Sequence, residues 1–283
     1  VLLVAVDGKP GLGPLLGGAP LTPTEQTLRS MPGGGRIRGR TVPPQQAFGD
    51  YLDLKGVGSL LRRAASAASL DMVAASTPGL EHLLVLGKIK ELERTAAADL
   101  ILVDAPPAGN AAPFIRSAAA LRAVVTSGPL RDQADEVAAM LADPTRCQAT
   151  LVTLPEETPV NEVIELAYDI EEEIGVNLGP LVVNGCWPDR PGLARTARSA
   201  AKSAGTKVGT ADAAALDASR TFGAARLALQ REQLARLDER LPLPRRHLPR
   251  LATPRLTSDH LVELAVALAA PPVIIEERRR EPR

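Results

Sequence analysis

Four apolar runs punctuate this chain: Val1–Val6 closing on Asp7, Leu100–Val103 closing on Asp104, Thr150–Leu154, and Leu181–Val183 closing on Asn184. Short unbroken runs of this kind are the pattern of parallel strands buried on both faces. Between them, apolar residues recur at helical spacing. Ala47–Thr95 carries Leu52, Leu60, Leu61 and Val73, breaks at Pro78-Gly79, and resumes with Leu80, Leu83, Leu84 and Leu86. There Lys88, Lys90 and Arg94 against Glu91 and Glu93 read as a solvated face. Phe114–Leu141 is Ala-rich and helical, with a break at Gly128-Pro129. Thr158-Pro159 offers a hydroxyl N-cap and a proline at the first helical position. The stripe that follows is Val160, Val163, Ile164, Ala167, Ile170 and Ile174, ended by Gly175. Phe222, Ala225, Leu229, Leu234 and Leu237 mark a further helix, and Leu261, Leu264 and Leu268 the buried face of a last one.

The segments between are weaker. Residues 19–46 are rich in Pro, Gly and Thr, with Gly35–Val42 alternating like an edge strand. Residues 188–218 are polar and poorly periodic, the pattern of a mobile surface insertion. Pro242–Pro254 reads as extended, and 271–283 as a disordered charged tail. Strands alternating with helices predict an α/β fold, a mostly parallel sheet with helices on both faces, in a single domain over 1–270.

Composition narrows the function. The 283 residues balance 33 basic against 33 acidic side chains, which argues against a nucleic-acid groove or a polybasic membrane patch. Aromatics are 2% of the chain, too sparse for base-stacking platforms. Cys147 and Cys186 form no C-x-x-C pair, so they read as idle thiols of a reducing compartment and not as a zinc site. No apolar run is long enough to span a bilayer and no signal peptide is visible, so the expected location is the cytoplasm.

The chemistry concentrates at two strand ends. A carboxylate at the carboxyl end of a buried strand lies on the rim where open α/β sheets bind ligands. Asp104 there can hold a hydrated Mg²⁺ that neutralises phosphate charge, the task of a Walker B aspartate. Asp7, ending the first run, is a second strand-end carboxylate, which on its own reads as the cap of a turn. Asn184, ending the fourth run, reads on its own as an asparagine in the turn after a strand. The Gly11/Gly13/Gly17 spacing suggests a dinucleotide fingerprint, but it begins several residues after the strand and Pro14 removes an amide that a pyrophosphate would need.

Asp104-Ala105-Pro106-Pro107-Ala108-Gly109-Asn110 resembles the switch II loop of the ArsA family of arsenite-pump and tail-anchor-targeting ATPases, usually Asp-Thr-Ala-Pro-Thr-Gly-His. Aspartate, the second proline and glycine match in spacing; Ala105 and Asn110 replace the family's first Thr and its His. Asp7-Gly8 resembles the family's switch I, Asp-Pro. Tyr51-Leu52, Thr77-Pro78-Gly79-Leu80 and Gly87-Lys88-Ile89-Lys90-Glu91 resemble an actinobacterial branch of it. The resemblance implies ATP and Mg²⁺ as cofactors, Asp7 orienting the attacking water, Asp104 on the metal, Pro107 and Gly109 at the nucleotide, and Asn184 on the adenine side. It also implies a homo- or heterodimer with a related ATPase subunit. Met140 stands alone where tail-anchor-targeting members carry a Met-rich client groove, and the arsenite pump's thiol site has no evident counterpart.

A Walker A loop, G-x-x-x-x-G-K-[ST], is not among these residues. In the family it lies between a first strand and first helix, about 25–30 residues before the position of Asp7. The expectation is therefore an ArsA-like ATPase lacking its first strand and P-loop, inactive as it stands, with two inner strands left with unpaired backbone groups and the chain aggregation-prone or only partly folded. The alternatives are a non-catalytic subunit that pairs with an intact ATPase and, from Gly11 and Gly13, a dinucleotide-dehydrogenase remnant.

Overall fold

A computed structural model of the chain describes residues 1–54 and 79–273. Leu60, Leu61, Val73, Thr77-Pro78 and the Arg278–Arg283 tail lie outside the described residues. The chain separates into two compact units, the first built from 1–149, 168–178 and 256–258, the second from 150–167, 179–255 and 259–283.

The first unit holds a four-stranded sheet in the order β2-β3-β1-β4. Its strands are β1 (Leu2–Ala5), β2 (Gln26–Ser30), β3 (Arg36–Thr41) and β4 (Ile101–Asp104). β1 pairs in parallel with both β3 and β4, while β2 runs antiparallel to β3. The sheet is thus mixed. β1 is central, and its Leu2, Val4 and Ala5 are fully buried, as the apolar run predicts. β3 is an interior strand, not the edge strand its weak alternation suggests. Its arginines explain the disguise: Arg38 pairs with Glu25 at 2.5 Å and donates to the carbonyl of Ala97, so polar side chains are satisfied beside the sheet. β4 is the opposite correction. It forms the sheet's edge among the described residues, and Leu100 and Leu102 are 51% and 50% exposed, so the run is not buried on both faces.

The described residues of this unit include the helices α1 (Leu12–Leu15), α2 (Pro44–Leu54), α3 (Leu80–Arg94), α4 (Ala108–Val124) and α5 (Pro129–Ala142). α3 packs against α2, α4 and α5. Leu80, Leu83, Leu84 and Leu86 are buried as expected, but Lys90 is not part of a solvated face. Its stem runs inward and its ammonium donates to Gln133 at 3.1 Å and to Glu136, both on α5. A buried ammonium is tolerated only with such partners.

The second unit carries a parallel sheet in the order β5-β6-β7, from β5 (Val152–Thr153), β6 (Leu181–Cys186) and β7 (Arg245–Pro249). α6 (Glu157–Tyr168) begins one residue before Thr158: Val160 donates to the carbonyl of Glu156, which makes Thr158 and Pro159 first-turn residues and not cap and N1. A π-helical turn, Asp169–Ile174, continues it into the first unit, where Gly175 ends it with φ +81 as its sequence predicts. The polar segment after β6 contains a 3₁₀ turn, Pro191–Ala194, and α7 (Ala197–Ser203), capped by Thr196, whose hydroxyl accepts from the Ser199 amide. Asp217 accepts from the Ala197 amide at 2.9 Å, tying this segment to α8 (Thr210–Arg240). α8 starts twelve residues earlier than Phe222, the first apolar marker of that helix. α9 (Ser258–Ala269) has no buried residue, and Leu268 is exposed, so the expected inward face of Leu261, Leu264 and Leu268 is not formed.

Gly13 explains itself by packing. A Cβ there would stand 1.9 Å from the backbone carbonyl oxygen of Ala19, so only glycine allows that loop to close on α1. Gly13→Ala should therefore destabilise the protein by about 1–3 kcal/mol, the usual cost of overpacking. Urea denaturation followed by circular dichroism measures it. An unchanged midpoint would show that the loop relaxes freely.

Candidate functional site

The register of two parallel strands builds the site. Ala5 stands opposite Asp104 in the β1–β4 pairing, and the Val6 amide donates to the Asp104 carbonyl at 3.4 Å. Asp7 follows two residues on, so the two aspartates emerge at the same carboxyl end of neighbouring strands. Asp7 is exposed and Asp104 is half-buried. Between β1 and α1 the chain turns at Gly8 with φ +63, a conformation closed to proline. The residue standing where switch I would have proline therefore serves a left-handed turn. That turn carries Lys9, whose ammonium lies 3.8 Å from the Asp104 carboxylate. Lys9 is a cation of the site that the sequence pattern did not single out, although it lies only two residues beyond Asp7.

The Pro-rich turn after β4 leads straight into α4. Pro107 is its N-cap, extended at φ −54 and ψ 157, and no side chain caps the helix. The Pro107 carbonyl accepts from Asn110 at 2.8 Å and Ala111 at 3.0 Å. The amides of Ala108 and Gly109 precede these and make no bond within the helix. First-turn amides and the helix dipole favour an anion at such an end. A methyl group placed on Gly109 would meet nothing within 4 Å, so packing does not require a bare backbone there.

A Mg²⁺ in this class of site rests on one or two carboxylates plus substrate phosphates and water. Asp104, partly exposed and already drawing a cation, fits that donor set, whereas an all-protein cage does not: the described residues contain no cluster of three or more metal-binding side chains. Asn184 belongs to the second unit. It lies within β6, which runs on to Cys186, and its side chain is exposed.

The two thiols are poor nucleophiles. Burial raises the Cys147 thiol, only partly offset by Arg146, and pushes Cys186 up to about 11. Cys186 also donates to the Val183 carbonyl at 3.4 Å.

Comparison with known proteins points to ATPases. Over 95% of its length the chain is 29% identical to the ATPase BagA of Mycobacterium tuberculosis, covering 84% of that protein. It is equally similar to a Mycobacterium bovis protein provisionally named an ATPase. A Halobacterium salinarum protein provisionally named an arsenical pump-driving ATPase is 24% identical over 121 residues, covering 40% of this chain and 19% of that protein. No protein-family model matches the chain. These similarities support an ATPase family. Among the described residues, no helix is long and apolar enough to cross a membrane.

The thiol environment makes a pH prediction. A thiol raised to about 11 is almost wholly protonated at neutral pH, and the reactive thiolate gains about tenfold per pH unit until that value is approached. Iodoacetamide should therefore modify Cys186 in the folded protein far more slowly at pH 7 than a free cysteine, with the rate still climbing above about pH 9. Mass spectrometry of modified peptides reads it, and a rate plateau near about pH 8 would contradict the burial argument.

Proposed function

We propose that this chain carries the switch elements of a Mg²⁺-dependent ATPase of the ArsA type, acting in the cytoplasm as a homo- or heterodimer with a related subunit. One observation carries the reading: the Ala5–Asp104 register, which sets Asp7 and Asp104 at one end of adjacent parallel strands. In this proposal Asp7 orients the water that attacks the terminal phosphate. Asp104 holds Mg²⁺, which supplies neutralisation of phosphate charge. Pro107 and Gly109 shape the turn that presents first-turn amides of α4 to the nucleotide, and Asn184 recognises the adenine edge. The similarity to ATPases over most of the chain supports the ATP assignment.

The phosphate cradle, a Walker A loop, would come from residues other than these 283. Among the described residues β4 is an edge strand, with Leu100 and Leu102 half-exposed, and that edge is suited to receive the strand that precedes such a loop. A second reading, a non-catalytic subunit serving an intact ATPase, draws on the same missing loop. The dinucleotide alternative loses its support, since Gly13 has a packing reason of its own.

Residues 1–283 alone should hydrolyse no ATP and bind it more weakly than about micromolar, lacking the amides and lysine that cradle the β- and γ-phosphates. Isothermal titration with Mg-ATP checks this. Micromolar binding to a folded monomer would favour the second reading.

In protein that also carries a Walker A loop, Asp7→Asn should lower turnover by about 10²–10⁴-fold with ATP affinity nearly kept, because it removes water orientation and no phosphate contact. Asp104→Asn should instead raise the Mg²⁺ concentration needed for activity. Single-turnover hydrolysis across a Mg²⁺ series separates them, and near-wild-type behaviour of both variants would defeat the assignment.

A further inference from the structure

The loop that carries Asp7 is held by little of its own backbone. Among the described residues, no backbone hydrogen bond is made by Asp7, Gly8, Lys9 or Pro10, and all four are exposed. Gly8 stands at φ +63, while the ring of Pro10 fixes its own φ, so Lys9 lies between a permissive residue and a rigid one. What ties this loop to the neighbouring strand end is a charge contact, the Lys9 ammonium 3.8 Å from the Asp104 carboxylate.

That contact is exclusive and loose. Among the described residues no other carboxylate lies within ion-pair distance of Lys9, and no other cation within that distance of Asp104. At 3.8 Å no hydrogen bond forms, so both Asp104 oxygens keep their lone pairs for another partner. A Mg²⁺ bound directly to such a carboxylate stands about 2.0–2.1 Å from its oxygen. An ammonium at the distance seen here would then face two positive charges close by and be repelled.

We propose that Lys9 is a tethered counter-cation for Asp104: it holds the Asp7 loop against the end of β4 while the carboxylate is free of metal, and yields its place to a divalent cation. Lys9 is two residues from Asp7, so its displacement frees the segment that carries Asp7. The loop is therefore docked when Asp104 is bare and released when Asp104 is loaded. Exposure keeps the contact weak, as a latch of this kind requires, since an exposed ion pair offers little resistance to a divalent ion. Lys9 is a positioning residue that acts through Asp104. The proposal rests on the reading of Asp104 as a metal ligand and adds to it what occupies that carboxylate beforehand.

Mn²⁺ alone is the probe, with its binding followed by water-proton relaxation at low ionic strength. The measurement is made on residues 1–283 and on protein that also carries a Walker A loop, each variant matching wild type by circular dichroism. Asp104→Asn should lose the binding that wild type shows. Lys9→Met, which keeps the length of the side chain and removes its charge, should tighten Mn²⁺ binding about two- to fivefold. Added salt should shrink that gain, and Lys9→Arg should bind as wild type does. A residue that merely shaped the loop would weaken metal binding when replaced, or leave it alone. Unchanged or weaker binding in Lys9→Met, with Asp104→Asn still deficient, would therefore overturn the latch and leave the metal assignment standing. Absence of any Asp104-dependent Mn²⁺ binding in both proteins would remove the two together.

Discussion

The parallel pairing of β1 with β4 is the interaction on which the proposed chemistry depends. Leu2 sits opposite Ile101 and Ala5 opposite Asp104, and that register alone decides that two carboxylates emerge side by side. Side chains alternate faces along a strand and β1 is buried on both, so a slip of one residue would displace every buried contact and move Asp104 away from Ala5. Leu2, Val4 and Ala5 have no exposed surface to spare, which fixes the register by burial. The site inherits its geometry from the core.

Around that pairing the molecule uses polar groups as fasteners where apolar area runs short. Arg38 ties β3 to the loops carrying Glu25 and Ala97. Lys90 joins α3 to α5 through Gln133 and Glu136. In the second unit Arg245, almost fully buried in β7, donates to the Leu234 carbonyl at 3.1 Å and pairs with Asp238 on α8. Each replaces a patch of hydrophobic contact with directional bonds, and each would leave an unmatched buried charge if its partner were removed.

The parts that were legible in the sequence are those whose residues encode one environment. The Val1–Val6 run and Leu181–Val183 are apolar throughout, and both lie in buried strands; Gly175 ends its helix because only that residue tolerates the turn there. β2 was illegible because Gln26–Ser30 has a single buried apolar residue, Leu28. Lys90 misled because a lysine looks solvated in one dimension whether or not a glutamine and a glutamate wait on another helix. The proposed catalytic carboxylates could be picked out from strand ends and a resembling loop, but Lys9 could not, because it lies in a loop that carries no periodic signal.

That β1 finds its neighbour β4 nearly a hundred residues further along the chain has a consequence for how the protein is made. Such a pairing closes a long loop, and folding slows as contacting residues lie further apart along the chain. The helices between can form early from local contacts, whereas the two aspartates meet only when this long loop is closed. The proposed site is thus a late product of folding, absent from any intermediate in which β1 has not yet reached β4. Its appearance during refolding would coincide with the burial of Leu2 and Val4, so that chemistry and core mature in one step.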